Sequence, residues 1–259
     1  MSAAENNHEA PGLKTDDQRL ALVTGASGVL GLATAKALID TGYRVVMVDL
    51  DQGRLESQAS DLGGEAIPVA LDISSPGKVT EVSQNIRVQY GEVSVLVNNA
   101  GLLSNNKLTE TNDDEWRRLL SVNLDGAFYL CREWLGAMKD RGWGRIVNIS
   151  SLAMKTGGLT AGTSYTASKG GLTALTLSIA REAAPHGVTA NGIAPAYIRT
   201  PMITDFLSET KQRELLAQIP VGRFCDPEEV AHVVSFLVSP LSGFITGEII
   251  DINGGLHMD

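Results

Sequence analysis

The stretch "TGASGVLG", Thr24–Gly31, follows the apolar run "RLALV" and opens a helical pattern. Glycine permits positive φ and lacks the Cβ that would block a phosphate. The start of a helix offers free backbone N–H groups and a positive dipole end to an anion. The pattern therefore predicts a loop that cradles the pyrophosphate of a dinucleotide, in which Gly25 makes the turn, Gly28 allows close approach and Gly31 lets helix and strand pack tightly. A plain tight turn is the alternative.

The end of the second predicted strand strengthens this interpretation. The run "RVVMVD" ends in Asp49, eighteen positions after Gly31, close to the ~20 expected of an acid that binds the adenosine ribose. A carboxylate there accepts hydrogen bonds from the ribose hydroxyls and repels a 2′-phosphate, so NAD(H) is favoured over NADP(H). A solvated acid that caps the next helix is the alternative, and Asp51 suits that role better.

Short apolar runs alternate with longer amphipathic runs along the chain. Runs rich in valine and isoleucine without polar alternation indicate strands buried on both faces. We therefore predict an α/β fold of the Rossmann type, a doubly wound parallel sheet of about seven strands with helices on both faces. The predicted strands are "LALVTG", "RVVMVD", "EAIPVAL", "SVLVNN", "RIVNIS", "VTANGIA" and "EIIDI". The predicted helices include "GLATAKALIDTG", which ends at Thr41–Gly42 with a glycine cap, "DQGRLESQASDLGG", "PGKVTEVSQNIRVQYG" and "SKGGLTALTLSIAREAAPHG".

Composition narrows the class of protein. The chain has 259 residues, of which 43% are hydrophobic and 20% charged, as in an ordinary globular protein. We predict a flexible polar leader over residues 1–18 and one Rossmann-type domain over residues 19–259. The net charge of −9 and the pI near 5.0 come without a basic stripe, which argues against a nucleic-acid partner.

Other classes of site are not expected from this sequence. No apolar run approaches the ~20 residues of a membrane span, so we expect no membrane partner. Cys131 and Cys225 form no C-x-x-C pair, and without a disulfide framework or signal peptide a cytoplasmic location is the default. The four histidines show no metal-ligand spacing, so we predict no metal.

A tyrosine and a lysine stand four positions apart in "SYTASKGG", and at helical spacing Tyr165 and Lys169 share one face. A free phenol titrates at about 10 and is a poor acid–base catalyst at neutral pH. An ammonium ~4 Å away, at an effective ε of ~20, would favour the phenolate by ~4 kcal/mol. That would lower the pKa of Tyr165 by up to ~3. We therefore predict that Lys169 makes Tyr165 a usable proton donor and acceptor, although so short a pair is unspecific by itself.

Six motifs and a tail occur in an order that resembles the short-chain dehydrogenase/reductase family, in its compact single-domain branch. The resemblance runs from about Leu20 to Gly255. It implies an NAD(P)-dependent oxidoreductase that acts on CH–OH donors. It also implies a homotetramer that pairs two long helices near Trp134 and Leu175, with the tail "GGLHMD" able to reach a neighbour. The motifs are "TGASGVLG", "NNAG" (Asn98–Gly101), "SVN" (ending in Asn123), "NISS" (ending in Ser150 and Ser151), "YTASK" and "NGIAPAYIRTPM", followed by "GRFCDPEEVAHVVSFLVSPLSGFITGEIIDINGG".

The resemblance also assigns roles. It implies that Tyr165 is the acid–base, that Ser151 polarises the substrate oxygen and that Lys169 also binds the nicotinamide ribose. Asn123 would anchor a water that relays protons, and Asn98 would belong to the turn beside the cofactor, although both could simply hold loops. Asp72 would contact the adenine, and Ile198 and Thr200 would face the nicotinamide carboxamide. The full set of expected cofactor contacts is Gly25, Ser27, Gly28, Val29, Leu30, Gly31, Asp49, Leu50, Asp72, Ile73, Asn99, Ala100, Gly101, Tyr165, Lys169, Pro195, Ile198 and Thr200.

Three departures from the family pattern stand out. The compact branch writes the loop T-G-x-x-x-G-x-G, whereas here Val29 occupies the middle glycine and Gly28 precedes it, so we expect slightly altered pyrophosphate contacts. Ser151 precedes Tyr165 by fourteen positions instead of thirteen; the glycine-rich "KTGGLTAGTS" can absorb one residue, and Ser150 stays an alternative. The Pro-Gly after the sixth strand is Pro195–Ala196, a change whose effect the sequence does not reveal.

The expected reaction moves a hydride between the cofactor and a secondary alcohol or its ketone, or a primary alcohol or aldehyde. Two alternatives stay open. One is an NADPH-dependent 3-oxoacyl-(acyl-carrier-protein) reductase, which Asp49 counts against. The other is a non-catalytic NAD-binding sensor, which would be expected to lose Tyr165 or Lys169.

The segment 196–223 joins the sixth strand to the last helix, so we expect a mobile flap over the cleft. Its apolar side chains suggest either a wall of the substrate site or simple packing; they are Tyr197, Met202, Ile203, Phe206 and Leu207. Lys155, in the loop after Ser151, could meet an anionic substrate or be solvated.

Overall fold

A computed structural model describes residues 19–200 and 208–258; the predicted leader, residues 1–18, lies outside this part. Seven strands form one sheet in the order β3-β2-β1-β4-β5-β6-β7, and every neighbouring pair is parallel. The predicted doubly wound, Rossmann-type α/β fold is confirmed, and each predicted run overlaps one strand, with ends that agree to within one or two residues. The strands are β1 Leu20–Thr24, β2 Arg44–Asp49, β3 Ala66–Ala70, β4 Val95–Asn98, β5 Gly144–Ile149, β6 Val188–Pro195 and β7 Ile249–Ile252.

Helices cover both faces of the sheet. They are α1 Val29–Asp40, α2 Gln52–Leu62, α3 Pro76–Tyr90, α4 Asp113–Leu120, α5 Gly126–Arg141, α6 Ala153–Thr156, α7 Thr163–Ala183, α8 Glu209–Leu216 and α9 Pro227–Val238, with a π-helical turn at Ser121–Asp125. As predicted, the end of α1 falls at Thr41 and Gly42: Thr41 is its C-cap, and Gly42 follows with φ 88°. The last predicted helical run began at Ser168, whereas α7 begins at Thr163. Its first residues, "TSYT", have low intrinsic helix propensity, so the early start depends on tertiary contacts.

Two hydrophobic cores fill the space between the sheet and the helices. One includes Ile86, Trp134 and Ile179, which places α3, α5 and α7 on the same face. The other includes Leu38, Leu55 and Val234, which places α1, α2 and α9 on the opposite face. Every residue of β1, β4, β5 and β6 is buried, as expected of parallel strands covered on both sides.

The order in which the chain adds strands to the sheet reverses at β1. The chain runs from β1 through β2 to β3 on one side and then crosses to β4 on the other. Ligands of doubly wound sheets bind beyond the carboxyl ends of the strands at such a point. Thr24 joins the two halves there, because its Oγ1 accepts hydrogen bonds from the backbone N–H groups of Asn99 and Ala100, both at 3.0 Å.

The helices expected to pair between subunits are α5 and α7, but Trp134 cannot be part of a subunit interface. Its side chain is fully buried beneath the guanidinium of Arg87, which lies 4.4 Å from the ring centroid. The exposed apolar side chains of these helices are Phe128 and Leu177. Residues 19–200 and 208–258 include no helix that is long and apolar enough to cross a membrane.

Candidate active site

Two cavities adjoin each other at the carboxyl ends of the strands. The first, of about 540 Å³, lies between the loops after β1, β2, β3 and β4. The second, of about 640 Å³, lies between the loops after β4, β5 and β6 and the helix α8. Both are lined by Leu30, Asn99, Gly101, Leu102 and Thr200. Apart from Asn98 and Asn123, every residue predicted to act in catalysis or to contact the cofactor lines one cavity or the other.

The glycine loop forms one wall of the first cavity. Gly25 has φ +63°, and a Cβ there would lie 2.8 Å from the Cα of Ala100. A Cβ at Gly31 would overlap the carbonyl of Gly25, so this glycine lets α1 pack against the loop as predicted. Gly28 is the N-cap of α1, and no side chain of the described residues caps that helix. The first N–H groups of α1 therefore face a cavity of dinucleotide size, which fits the binding of a pyrophosphate.

Asp49 joins the glycine loop to the end of β2. Its Oδ2 accepts hydrogen bonds from Ser27 N at 3.0 Å and from Ser27 Oγ at 2.6 Å, and its Oδ1 accepts one from Leu50 N at 2.7 Å. The carboxylate lines the cavity, where the hydroxyls of an adenosine ribose could replace the Ser27 hydroxyl as donors. Asp51 instead caps α2 by accepting a bond from Arg54 N, as expected.

The end of this cavity near Asp49 carries one charge that the sequence analysis missed. Arg54 lines it together with Asp49 and Asp72. Hydrogen bonds from Ser74 hold the pKa of Asp72 below its ordinary value, so Asp72 is an anion there. The arginine lies one helical turn beyond the cap of α2, a position that no dinucleotide fingerprint marks.

Tyr165 lies in the first turn of α7 and lines the second cavity. Burial raises the pKa of its phenol, and a hydrogen bond with Ser151 opposes that effect. The neighbouring Ser150 turns away, because its hydroxyl donates to the carbonyl of Lys169 at 3.1 Å and lies 2.9 Å from the hydroxyl of Thr173. Ser151, and not the alternative Ser150, is therefore the hydroxyl beside the phenol.

Lys169 lies on the same face of α7 as Tyr165. Its Nζ is 5.8 Å from the centroid of the Tyr165 ring and donates a 2.7 Å hydrogen bond to the carbonyl of Ile149. Burial lowers the pKa of Lys169 to about 8. The predicted fall in the pKa of Tyr165 is wrong, because burial raises the pKa of the phenol and the only opposing cause is the hydrogen bond with Ser151.

Asn123 lies in the π-helical turn and lines neither cavity. Its Oδ1 accepts a bond from Leu102 N at 2.7 Å, and its Nδ2 donates to Leu102 O at 2.9 Å and to Ser168 Oγ at 3.0 Å. The side-chain amide of Asn123 thus joins the loop after β4 to α7. This contact is what the alternative interpretation of Asn123, as a residue that holds a loop, predicts. The proton relay that the resemblance implied stays a prediction.

Asn98, expected in the turn beside the cofactor, is the last residue of β4, and its side chain does not line the first cavity. Its Nδ2 donates to Asn148 Oδ1 at 2.8 Å and contacts Cys131 Sγ at 3.4 Å, so the side chain points into the core. Asn99 faces the cavity instead, and its Nδ2 donates to the carbonyls of Thr24 and Gly25. Successive residues of a strand point to opposite faces, which explains the difference.

Lys155 neither meets the cavity nor stands free in solvent. Its Nζ lies 2.7 Å from Oδ2 of Asp251 on β7, so both interpretations of this residue are wrong. The segment between Ser151 and Tyr165 contains a turn after α6 in which Gly157 and Gly158 have φ +74° and +79°.

The second cavity has mostly apolar walls. Tyr197 lines it and packs edge-on against Phe224, whereas the other apolar residues named for the flap, Met202, Ile203, Phe206 and Leu207, lie outside the described residues. Lys169 and Lys211 are the charged residues among the described lining, which includes no carboxylate. Sequence reasoning missed six leucines that line this cavity, since they come from five different segments: Leu102, Leu103, Leu152, Leu159, Leu215 and Leu256. Among the described residues, no three His, Cys, Asp or Glu side chains are grouped to hold a metal ion.

The sequence is similar to those of known reductases over nearly its whole length. The family model described as "Enoyl-(Acyl carrier protein) reductase" matches residues 25–257. A relative from Salmonella typhimurium, "3-oxoacyl-[acyl-carrier-protein] reductase FabG", is 38% identical over 240 residues, which are 93% of this chain and 98% of the relative. The protein of the same name from Escherichia coli K12 is 37% identical over 242 residues, again 93% and 98%.

Two solved structures have the same fold as this chain and are named as dehydrogenases. A short-chain dehydrogenase/reductase from Brucella melitensis, titled glucose/ribitol dehydrogenase, superposes with a TM-score of 0.86 at 34% identity, over 93% of this chain and 98% of that one. A putative gluconate dehydrogenase from Agrobacterium tumefaciens has a TM-score of 0.87 at 34% identity, over 92% and 95%. Fold, motif order and nearly full-length similarity agree, and the chain belongs to the short-chain dehydrogenase/reductase family of oxidoreductases.

Proposed function

We propose that this protein is a nicotinamide-dependent ketoreductase or alcohol dehydrogenase, which exchanges a hydride with a secondary alcohol or its ketone. The observation that carries the proposal is the meeting of Ser151, Tyr165 and Lys169 at the wall of one cavity, beside a second cavity with a glycine-rich anion cradle. The cofactor, when bound, supplies or accepts the hydride. The chain's own residues orient the substrate and move one proton.

The division of work among the three side chains follows from their contacts. Ser151 donates a hydrogen bond to the substrate oxygen, and Tyr165 exchanges its hydroxyl proton with the same oxygen. Lys169, held by the Ile149 carbonyl, presents its remaining N–H groups to the cofactor ribose. Gly101 leaves room for that contact, because a Cβ there would lie 3.3 Å from Lys169 Nζ.

The protonation state of Tyr165 suits the reductive half of the reaction. Its pKa is raised by burial, so the phenol keeps its proton at neutral pH. A protonated phenol is ready to donate to the oxygen of a ketone as hydride adds to the carbon. Oxidation would need the phenolate first.

We propose NAD(H) as the favoured cofactor, supported by the Asp49 carboxylate in the ribose region of the cavity. Arg54 lines the same region and could hold a 2′-phosphate, so NADP(H) is the competing choice. Titration of intrinsic fluorescence with NADH and NADPH tests the preference. Tighter binding of NADPH would overturn the role given to Asp49.

A 3-oxoacyl-thioester reductase is the second candidate function. The apolar walls of the second cavity and its lack of a described carboxylate suit an acyl chain better than a polyol, which needs several fixed polar partners. The 38% identical relatives carry that name. The dehydrogenases among the solved structures, at 34% identity, are named for sugar-derived substrates.

One spectrophotometric screen separates these functions. Absorbance of the reduced nicotinamide is followed with NADH and NADPH against acetoacetyl-coenzyme A, gluconate, ribitol and simple ketones. Turnover of the thioester alone supports the second candidate, and turnover of ketones or polyols supports the general one. Absence of any turnover, with cofactor binding intact, would favour the non-catalytic sensor.

The expected homotetramer is checked by light scattering, with Phe128→Glu on α5 as the disrupting variant.

A further inference from the structure

The helix that carries Tyr165 is held at its first turn by a distant loop. No side chain of the described residues caps α7 at its N-cap, Gly162. The backbone N–H of Gly162 instead donates to the carbonyl of Ser104 at 2.7 Å, and that of Thr163 donates to the carbonyl of Asn106 at 3.0 Å. Residues 102–107, here termed the capping loop, thus satisfy two of the free N–H groups that begin a helix.

The approach of the capping loop is close enough to require a glycine. A Cβ at Gly162 would overlap the carbonyl oxygen of Asn106 and lie 2.8 Å from its nitrogen. Lys107 adds a second attachment, since its Nζ donates to the carbonyls of Gly158 and Ala161 at 2.8 and 2.7 Å. The loop is therefore fastened on both sides of the turn that leads into α7.

Glu115 fastens the capping loop to α7 directly. Its Oε2 accepts a 2.6 Å bond from Asn106 Nδ2, and its Oε1 accepts a 3.0 Å bond from the hydroxyl of Ser164. Ser104 gives the carboxylate a further hydrogen bond, which with the bond from Asn106 holds the pKa of Glu115 below its ordinary value. Ser164 is fully buried and directly precedes Tyr165.

The capping loop also contacts Asn123 and forms part of the wall of the second cavity, which Tyr165 lines. Leu102 exchanges two hydrogen bonds with Asn123, and Leu102, Leu103 and Asn105 line the second cavity. A shift of the loop would therefore move the cavity wall and the first turn of α7 together.

We propose that Glu115 is a positioning residue for Tyr165, acting through Ser164 and the capping loop. The inference rests on the proposed function for its kinetic consequence, but the geometry of the first turn of α7 can be measured without turnover. Because an error of about 1 Å in placement can cost on the order of 10²-fold in rate, the effect on kcat is expected to be large.

The test compares two carboxylates on the same helix. Glu115→Ala removes the acceptor, whereas Asp114→Ala removes its neighbour, whose side chain is 99% exposed and 3.8 Å from Arg117. Both variants remove an acidic group from the first turn of α4, so the loss of interaction with the helix dipole is matched. Glu115→Gln keeps one oxygen acceptor and serves as the conservative variant.

We expect Glu115→Ala to lower kcat by roughly 10- to 100-fold, with the Kd for the cofactor within about twofold of wild type because the glycine loop and Asp49 are untouched. Glu115→Gln should recover part of the loss, and Asp114→Ala should stay within about twofold. Hydrogen exchange should quicken at residues 162–166 in Glu115→Ala and not in Asp114→Ala.

Equal kcat in the Glu115→Ala and Asp114→Ala variants would overturn the proposal. So would faster exchange spread evenly over the whole domain, since that would indicate general destabilisation. If the wild-type protein shows no turnover, the proposed function fails. The exchange at residues 162–166 then decides alone whether Glu115 positions the first turn of α7.

Discussion

Tyr165 and Lys169 lie on one face of α7, with the lysine Nζ 5.8 Å from the centroid of the tyrosine ring. The Nζ points to the carbonyl of Ile149, at the end of β5. Helix and sheet are thus joined at the reacting group, and the ammonium is held where a ribose hydroxyl could meet it. Burial sets the protonation of both residues, raising one pKa and lowering the other.

Replacing the phenol should abolish turnover and spare cofactor binding. Tyr165→Phe removes the proton donor, and loss of a general acid costs about 10²- to 10⁴-fold in kcat. Tyr197→Phe is the matched control, because Tyr197 lines the same cavity and its hydroxyl lies 3.3 Å from that of Thr160, away from Ser151 and Lys169. Initial rates at 340 nm and fluorescence titration with NADH measure the two effects. A fully active Tyr165→Phe variant would remove Tyr165 from the mechanism.

Replacing the buried lysine should stabilise the fold at neutral pH. The pKa of Lys169 falls from 10.5 to about 8 on folding, so below pH 8 the folded protein holds a charge that burial disfavours, at a cost of about 3 kcal/mol. Between pH 8 and 10.5 the unfolded chain binds more protons, and wild-type stability rises with pH through this group. Lys169→Met lacks that cost but loses one hydrogen bond, worth about 1 kcal/mol.

Urea unfolding of Lys169→Met and wild type at pH 7 and pH 10 measures this difference. We expect the variant to be more stable by roughly 2 kcal/mol at pH 7, with the advantage shrinking as pH rises. An advantage that grows with pH would contradict the sign given to the shift.

Cofactor preference should follow the two charges at the adenosine end of the first cavity. Asp49→Asn weakens acceptance from the ribose hydroxyls and removes repulsion of a 2′-phosphate, so the Kd for NADH should rise by about tenfold and that for NADPH should fall. Arg54→Ala should weaken the binding of NADPH and leave the binding of NADH unchanged. Asp51→Asn is the control, since Asp51 caps α2 and does not line the cavity. A higher NADH affinity in Asp49→Asn would contradict the assignment.

Glycine is required at the start of α1 by packing. Gly31→Ala places a Cβ on the carbonyl of Gly25, so we expect a loss of about 1–3 kcal/mol in the free energy of unfolding and weaker NADH binding. Gly53→Ala on α2 is the control, because its nearest foreign atom would be Asp51 Oδ1 at 3.7 Å. That change should stabilise the protein by up to about 1 kcal/mol. Urea midpoints of both variants provide the comparison.

The fold was predictable because its signals are local. Each strand is a short run in which apolar residues predominate or equal the polar ones, and Gly42 follows the end of α1 where the sequence indicated. The spacing of Tyr165 and Lys169 places them on one helical face whatever the surroundings. The same helix begins earlier than its sequence indicates, because Ser104 and Asn106 bind its first N–H groups.

The contacts that sequence reasoning missed join residues far apart in the chain. Glu115 and Ser164 are 49 positions apart, and Lys155 and Asp251 are 96 apart, so no local pattern marks either pair. Asn98 was expected in the turn beside the cofactor or in a loop-holding role, and its side chain faces the core. A strand buried on both faces shows no polar alternation to fix such an orientation. The pKa of Tyr165 depends on burial, which a spacing argument cannot supply.

The hydroxyl of Thr24 binds the first two residues after β4, so hydrogen bonds join the two halves of the sheet at the bottom of the cleft. A dinucleotide bound above these hydrogen bonds would contact both halves at once. Its binding energy would then be shared by the entire sheet, and saturating cofactor should shift one cooperative melting transition upward instead of splitting it in two.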